Sequence, residues 1–428
     1  MSNRKALFPL IVIMSYLFST LGLYLFGPVS FVRHNQEIVT VLLLLYFTSF
    51  CVGYVLAIYF DASKFKLSLD ASEENRIPGW LLIFSFGYVS LSLYAYVPEF
   101  SFADYLYMLK CSIIDPLAVY QKSLYSIKSS PSVYLLVVLF PLYFFVLVSF
   151  IYKFYKLSYA FKFLLIAVIA LELSRWVLMG RNKGIFDIFF VILTVLVIRR
   201  SRSDLFRNRG SSFLNVSKKK IYLGFLAALA FFVVLNYFSH SISARKAHFE
   251  NYAGYSDNLM INIVPGFLEP LLVNLTDYLA QGYNALSYVF DMDWRPLYGL
   301  GHSPILMANV DGLSGSLFQD TYQYRMSRFD IDPYVNWHTA FVWIANDVHW
   351  FGVIFFMLAF GYYFCWVYLR SVICRDRYAH CMLALLMISI FYLPANAQIF
   401  TQTGTTFAFW VFFFILAFYR LKEWVRGD

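Results

Sequence analysis

Runs of roughly 20 apolar residues recur along most of this chain, the length a helix needs to cross the hydrocarbon of a bilayer. Ten spans are expected, near residues 7–27, 38–60, 79–96, 133–152, 161–179, 185–198, 221–239, 350–369, 380–397 and 404–420. The runs are continuous rather than alternating, which excludes a membrane β-barrel. No soluble core could hide them: 60% of the residues are apolar and only 14% charged, where a soluble domain carries about a quarter charged residues. Trp and Tyr gather near the segment ends, where amphipathic rings favour the interface. The expected fold is all-α, a polytopic transmembrane helical bundle. The sixth span, with about 14 apolar residues, is the shortest.

Basic residues orient the bundle. Most of the 34 Lys and Arg fall in segments that share one side if both termini are cytoplasmic, and the cluster from Arg199 to Lys220 is the strongest contributor. The formal charge of +9 is therefore read as a topology anchor on anionic lipid, with no nucleic acid as partner. Residues 1–240 then carry seven spans, 241–339 form one large outer loop, and 340–428 carry three more spans. Inside the loop, 259–275 and 278–290 are apolar but contain Pro265, Pro270, Asn274 and Asp277, so they are expected to be interfacial or re-entrant helices. The first run, Leu7 to Gly27, has no small-residue cleavage site and reads as a span, not a leader. Five cysteines without metal spacing, only Cys111 of them in an outer loop, imply neither a metal site nor a disulfide framework. No inverted repeat or pair of broken helices marks a transporter.

Three elements could carry chemistry at the outer surface. Gly180-Arg181-Asn182-Lys183-Gly184 is a tight turn between spans five and six, where positive residues break the topology rule. An Arg and a Lys between glycines suit a phosphate or pyrophosphate, although two cations could also simply cap a hairpin. Asp187, one turn on, could hold Lys183, and Glu172 and Arg175 are spaced to pair within a span. Arg245 and Lys246 follow span seven, as anion ligands or as residues snorkelling to headgroups. His338, in Trp337-His338-Thr339, ends the long loop and starts the helix leading to span eight; a histidine can act as a base near neutral pH. Asp347 lies about two and a half turns further along that helix, on the opposite side from His338, and reads as a packing or capping carboxylate. Gln281 and Tyr283 mix amide and aromatic groups that suit sugar faces, and ordinary amphipathic packing also accounts for them. No P-loop, GxSxG, HExxH, DxD or EF-hand pattern is present, so no cofactor or metal is expected.

With Gly180 to Gly184, Gln281-Gly282-Tyr283, and Trp337-His338-Thr339 followed by Asn346-Asp347 and Gly352, the chain resembles bacterial O-antigen polymerases of the Wzy type, related to the O-antigen ligases. The resemblance implies a GT-C-like bundle in the inner membrane with its site facing the periplasm. It implies a metal-independent glycosyltransferase that joins undecaprenyl-pyrophosphate-linked repeat units. The growing glycan would leave its lipid pyrophosphate for a non-reducing-end hydroxyl of a new unit. Arg181 and Arg245 match arginines that hold the donor pyrophosphate, and His338 matches a histidine that activates or orients the acceptor hydroxyl. Lys183, Lys246, Gln281, Tyr283 and Thr339 complete the candidate substrate-binding set. Membrane lipids and a chain-length regulator protein are the partners implied. An O-antigen ligase, or a flippase of lipid-linked oligosaccharide, would share much of this pattern.

Overall fold

The structure, a computed structural model, describes residues 3–32, 34–61, 65, 77–97, 99–126, 131–206, 232–244, 258–311, 316–333 and 336–426. Its helices are α1 (Asn3–Phe26), α2 (Gln36–Asp61), α3 (Trp80–Tyr96), α4 (Tyr105–Ile114), α5 (Pro116–Ser126), α6 (Pro131–Lys153), α7 (Tyr159–Leu178), α8 (Lys183–Phe206) and α9 (232–244). There follow α10 (Leu259–Ile263), α11 (Glu269–Leu286), α12 (Pro304–Asp311), α13 (Leu317–Asp320), α14 (Tyr322–Arg325), α15 (Ala340–Leu369), α16 (Arg377–Tyr392) and α17 (Thr403–Arg426). No β-strand occurs among the described residues. Among the described residues, five helical stretches are long and apolar enough to cross a membrane: Ala6–Phe26, Gln36–Asp61, Pro131–Lys156, Ala340–Cys374 and Thr403–Glu423. The fold is thus all-helical, with the helices of a membrane protein.

The helix limits depart from the apolar runs in instructive ways. α8 has 24 residues, because its helix continues past the short apolar stretch through Arg199 and Arg200, and Arg199 stacks its guanidinium on Tyr155 at 4.3 Å. α11 is one continuous helix where two segments, 259–275 and 278–290, were expected. Pro270 falls in its first turn, where a missing N–H costs nothing. Asn274 does not break it, since its amide donates to the Ser239 hydroxyl at 3.0 Å and to Ser243 at 2.7 Å. α15, which contains the apolar run 350–369, begins ten residues before that run, at Ala340, and is broken at His349, whose φ of 63° and ψ of 157° are not helical.

The chain forms two compact units. The first comprises Met1–Ala71, Ala253–Pro265 and Leu275–Asp428. Its axis is the pairing of α2 with α15. A Cβ at Gly53 would stand 1.9 Å from the Leu358 carbonyl oxygen, and one at Gly361 2.1 Å from that of Phe50. Each glycine therefore receives the other helix's backbone, the small-residue contact by which apolar helices associate when lipid removes the hydrophobic incentive. Tyr46 donates its hydroxyl to the Trp350 carbonyl at 2.6 Å, satisfying backbone beside the break. Gly361→Leu is expected to lower stability by about 3 kcal/mol, the upper range for overpacking, read as the midpoint of denaturation in detergent. Gly22 on α1, where an added Cβ would meet nothing within 4 Å, should tolerate the same leucine far better.

The second unit comprises Ser72–Tyr252 and Gly266–Asn274. In it α3 packs on α6 and α7, and α8 on α6 and α7. Tyr88 and Tyr143 stack at 4.4 Å between α3 and α6, and the Tyr88 hydroxyl donates to the Leu136 carbonyl at 3.2 Å. The expected pair on α7 is formed: Arg175 Nε donates to Glu172 at 3.2 Å, and Trp176 Nε1 donates to the same carboxylate at 2.9 Å.

Candidate functional site

In the first unit, His338 sits where three backbones converge. The turn after α16 lends its Leu393 carbonyl to Ala340 N at 3.0 Å, which fixes the start of α15. Thr339 caps that start, its Oγ1 accepting from Val342 N at 3.2 Å. Gln281 of α11 accepts from Trp337 N at 2.9 Å, and Tyr278 meets the Trp337 ring edge-on at 5.0 Å. These contacts need Gly282: a Cβ there would lie 2.2 Å from the Pro394 carbonyl and 2.9 Å from Thr339 N. His338 is clamped on both sides of its own backbone, yet its side chain is not tied down. It is 2% exposed, and neither ring nitrogen has a hydrogen-bond partner among the described residues. Burial pushes its pKa down to about 3, so the ring is neutral, with one donor and one acceptor to offer. Two orphaned polar atoms in a packed interior cost roughly 1–3 kcal/mol each and point to a purpose other than stability.

Gln281 and Thr339 therefore reach His338 through its backbone, as supports. Tyr283, two residues after Gln281 on α11, is fully buried; its hydroxyl shares a hydrogen bond with Thr20 at 3.0 Å, and its ring meets Tyr24 edge-on. It packs the wall behind the site.

The second unit holds the turn between α7 and α8. Gly180 has φ of +62°, and a Cβ on it would stand 2.6 Å from the Pro116 carbonyl and 2.8 Å from Tyr120 N, so both its conformation and its neighbours demand glycine. Arg181 N returns to the Trp176 carbonyl at 2.9 Å, closing the helix end. Lys183 is buried and bonds Asp187 at 2.9 Å, so its charge is neutralised within its own helix. Asn182 is buried with both amide atoms unpartnered among the described residues. Arg181 is half-buried beside it. Arg245 and Lys246 lie outside the described residues.

A further cluster was not legible in the sequence. Asp347 on α15 accepts from Gly299 N at 2.9 Å, Gly301 N at 2.7 Å, His302 N at 2.9 Å and His302 Nδ1 at 3.0 Å. It caps a loop, as a capping carboxylate should, and in doing so orients an imidazole. Beside it, Asn346 accepts from Tyr322 N at 2.9 Å and donates to Gln323 at 2.9 Å and to the Gly301 carbonyl at 3.1 Å. Gly301 lets the loop lie against the helix, since a Cβ there would be 2.4 Å from that of Asn346. Two glycines flanking Leu300 just before a histidine were the sequence signal for His302.

No family model, no curated protein and no solved structure matches this chain. No group of three or more potential metal ligands occurs among the described residues.

Proposed function

We propose that this chain is an inner-membrane polymerase of lipid-linked oligosaccharide repeat units, of the O-antigen polymerase type. The reading takes ten spans, both termini cytoplasmic, a GT-C-like bundle, and residues 241–339 facing the periplasm. The observation that carries it is His338: a histidine held by its backbone, buried, and left with both ring nitrogens unpartnered among the described residues. In this reading the neutral ring orients the acceptor hydroxyl by accepting its hydrogen bond. Its depressed pKa favours orienting over taking the proton outright in the resting site.

Arg181 and Arg245 bind the donor pyrophosphate and stabilise the charge that develops as it leaves. A lipid pyrophosphate is already an activated leaving group, so the transfer calls on binding, orientation and electrostatics. Gln281 and Thr339 support the His338 backbone, Tyr283 supports α11, Lys183 is held by Asp187 and supports the turn that carries Arg181, and Lys246 acts as an outer cationic neighbour. Membrane lipids and a chain-length regulator would be its partners.

The test is the lipopolysaccharide ladder of a strain lacking this gene, complemented with wild type or Arg181→Ala. The account expects a full ladder with wild type. Losing one guanidinium contact costs about 2–4 kcal/mol in the transition state, so the variant should give short chains or single repeats at equal protein level. Lipid-linked polymer accumulating unattached to core in the deletion strain would make the chain a ligase. Single units accumulating on the cytoplasmic face would make it a flippase.

A further inference from the structure

In the second unit, α4 is apolar on two sides. Its inner side, Tyr105, Met108 and Leu109, packs on a cluster formed by Leu93 and Val97 at the end of α3 and by Leu178 and Met179 at the end of α7. Its outer side holds Leu106, Tyr107, Lys110, Ile113 and Ile114, at the three- and four-residue spacing of one helix face. All five are exposed, Leu106 by 76% and Tyr107 by 70%. So apolar a surface marks a contact with lipid or with protein. Four observations favour lipid. The helix has ten residues and is therefore about 15 Å long, too short to cross a hydrocarbon core of about 30 Å. Both ends are polar: Asp104 stands at the N-cap and Asp115 at the C-cap, and both are exposed. Lys110, in the middle of the outer side, forms no ion pair among the described residues, and its stem can lie on apolar neighbours while the ammonium reaches a phosphate. Neighbouring α3 likewise leaves Trp80, Ile83 and Tyr94 exposed along one face.

We infer that α4 lies lengthwise in the membrane interface, with its outer side sunk among the acyl chains of phospholipids. Its axis runs along the membrane plane, because a helix dipping into hydrocarbon would carry one of its terminal carboxylates down with it, at a large cost. Lys110 reaches back up to the headgroup phosphates. The helix that follows, α5, is fastened at the same place: Ser123 donates to the Met179 carbonyl at 3.1 Å, and Gly180 lies close against Pro116 and Tyr120. The two short helices thus hold the Gly180–Gly184 turn at the height of the headgroups. The inference does not rest on the polymerase reading, since it concerns how α4 meets lipid, whatever ligand Arg181 takes.

The experiment uses the purified, unaltered full chain in vesicles of phosphatidylethanolamine and phosphatidylglycerol, with labels located by tandem mass spectrometry. One phospholipid probe carries a diazirine in the middle of an acyl chain, and a second carries it on the headgroup. Light turns each into a carbene that inserts into the side chain beside it. In parallel, hydroxyl radicals generated in the water oxidise side chains that water reaches. The acyl probe should label Leu106, Tyr107, Ile113 and Ile114, and leave Met108 and Ser112 on the inner side at background. The headgroup probe should label both Asp104 and Asp115. Hydroxyl radicals should leave Leu106 and Tyr107 at background in vesicles and oxidise both once the protein is unfolded in urea. Oxidation of the outer side without acyl label would overturn the inference and leave α4 in water. Protection from both reagents would overturn it too, placing protein over this side, either a second copy or another segment of this chain. Headgroup label at one end alone would overturn the in-plane placement and make α4 a re-entrant helix. All of these results are read on the wild-type protein, so none depends on a variant folding.

Discussion

Asp347→Ala should destabilise the protein by about 4 kcal/mol, the largest effect expected of any single substitution in the first unit. The carboxylate is 10% exposed and holds three backbone N–H groups and the His302 ring at 2.7–3.0 Å. Alanine leaves those donors without an acceptor, and each orphaned donor costs roughly 1–3 kcal/mol, more where the lost partner is charged. Water reaching the loop recovers part of this sum. A loss of about 4 kcal/mol is a large share of the 5–15 kcal/mol by which folded proteins exceed their unfolded states. Asp347→Asn keeps one carbonyl oxygen and should lose about half as much. Chemical denaturation in detergent measures both. A change below about 1 kcal/mol for alanine would mean that Asn346, together with the 2.8 Å bond from Ser303 to the Phe400 carbonyl, holds the loop alone.

His338→Leu should do the opposite to stability while abolishing function. At neutral pH the native side chain buries two polar atoms that have no partner among the described residues, and leucine removes that cost at similar volume. The variant is expected to be as stable as wild type or about 1–2 kcal/mol more stable at pH 8. The gain should grow in acid. The folded-state pKa of His338, about 3, lies below the ordinary value of 6.5, so between those values the unfolded chain binds the proton and the folded one does not. Wild-type stability is therefore full above about pH 6.5 and falls as pH drops toward 3. At pH 5 this one histidine should have cost about 2 kcal/mol relative to pH 8, and the leucine variant should lack that loss. If both proteins lose stability equally between pH 8 and 5, the ring is not held neutral in the folded state.

The sequence was most readable where a single physical requirement acts along the chain. Continuous apolar runs and the absence of alternation sufficed for an all-helical membrane fold, and the spacing of Glu172 with Arg175 and of Lys183 with Asp187 foretold both ion pairs. Helix limits were less readable, because hydropathy marks what lipid accepts and not where a helix stops. α8 runs on through its arginines, and α11 runs through Asn274 once the partners Ser239 and Ser243 come from elsewhere in the chain. The role of Asp347 was visible as a carboxylate near the start of a helix, but its four donors lie 45 to 48 residues away and no local pattern encodes them. Gln281 and Tyr283 looked like ligand groups because amide and aromatic types serve sugars and cores alike. Their partners, Trp337 N and Thr20, are what assign them to support and packing. His338 could be singled out by position, whereas the state of its ring could not, since burial depends on Gly282 and the Leu393–Pro394 turn meeting at one point.

The central claim is that His338 serves the polymerisation of lipid-linked repeat units. The most direct test is to reconstitute the purified chain in proteoliposomes with undecaprenyl-pyrophosphate-linked repeat units, and to size the products for wild type and His338→Leu. The account predicts products of many repeats with wild type and only single repeats with a variant that denatures no more easily. Polymer formed equally by the leucine variant would contradict the role of His338, and no polymer from folded wild type supplied with its cognate unit would contradict the function itself.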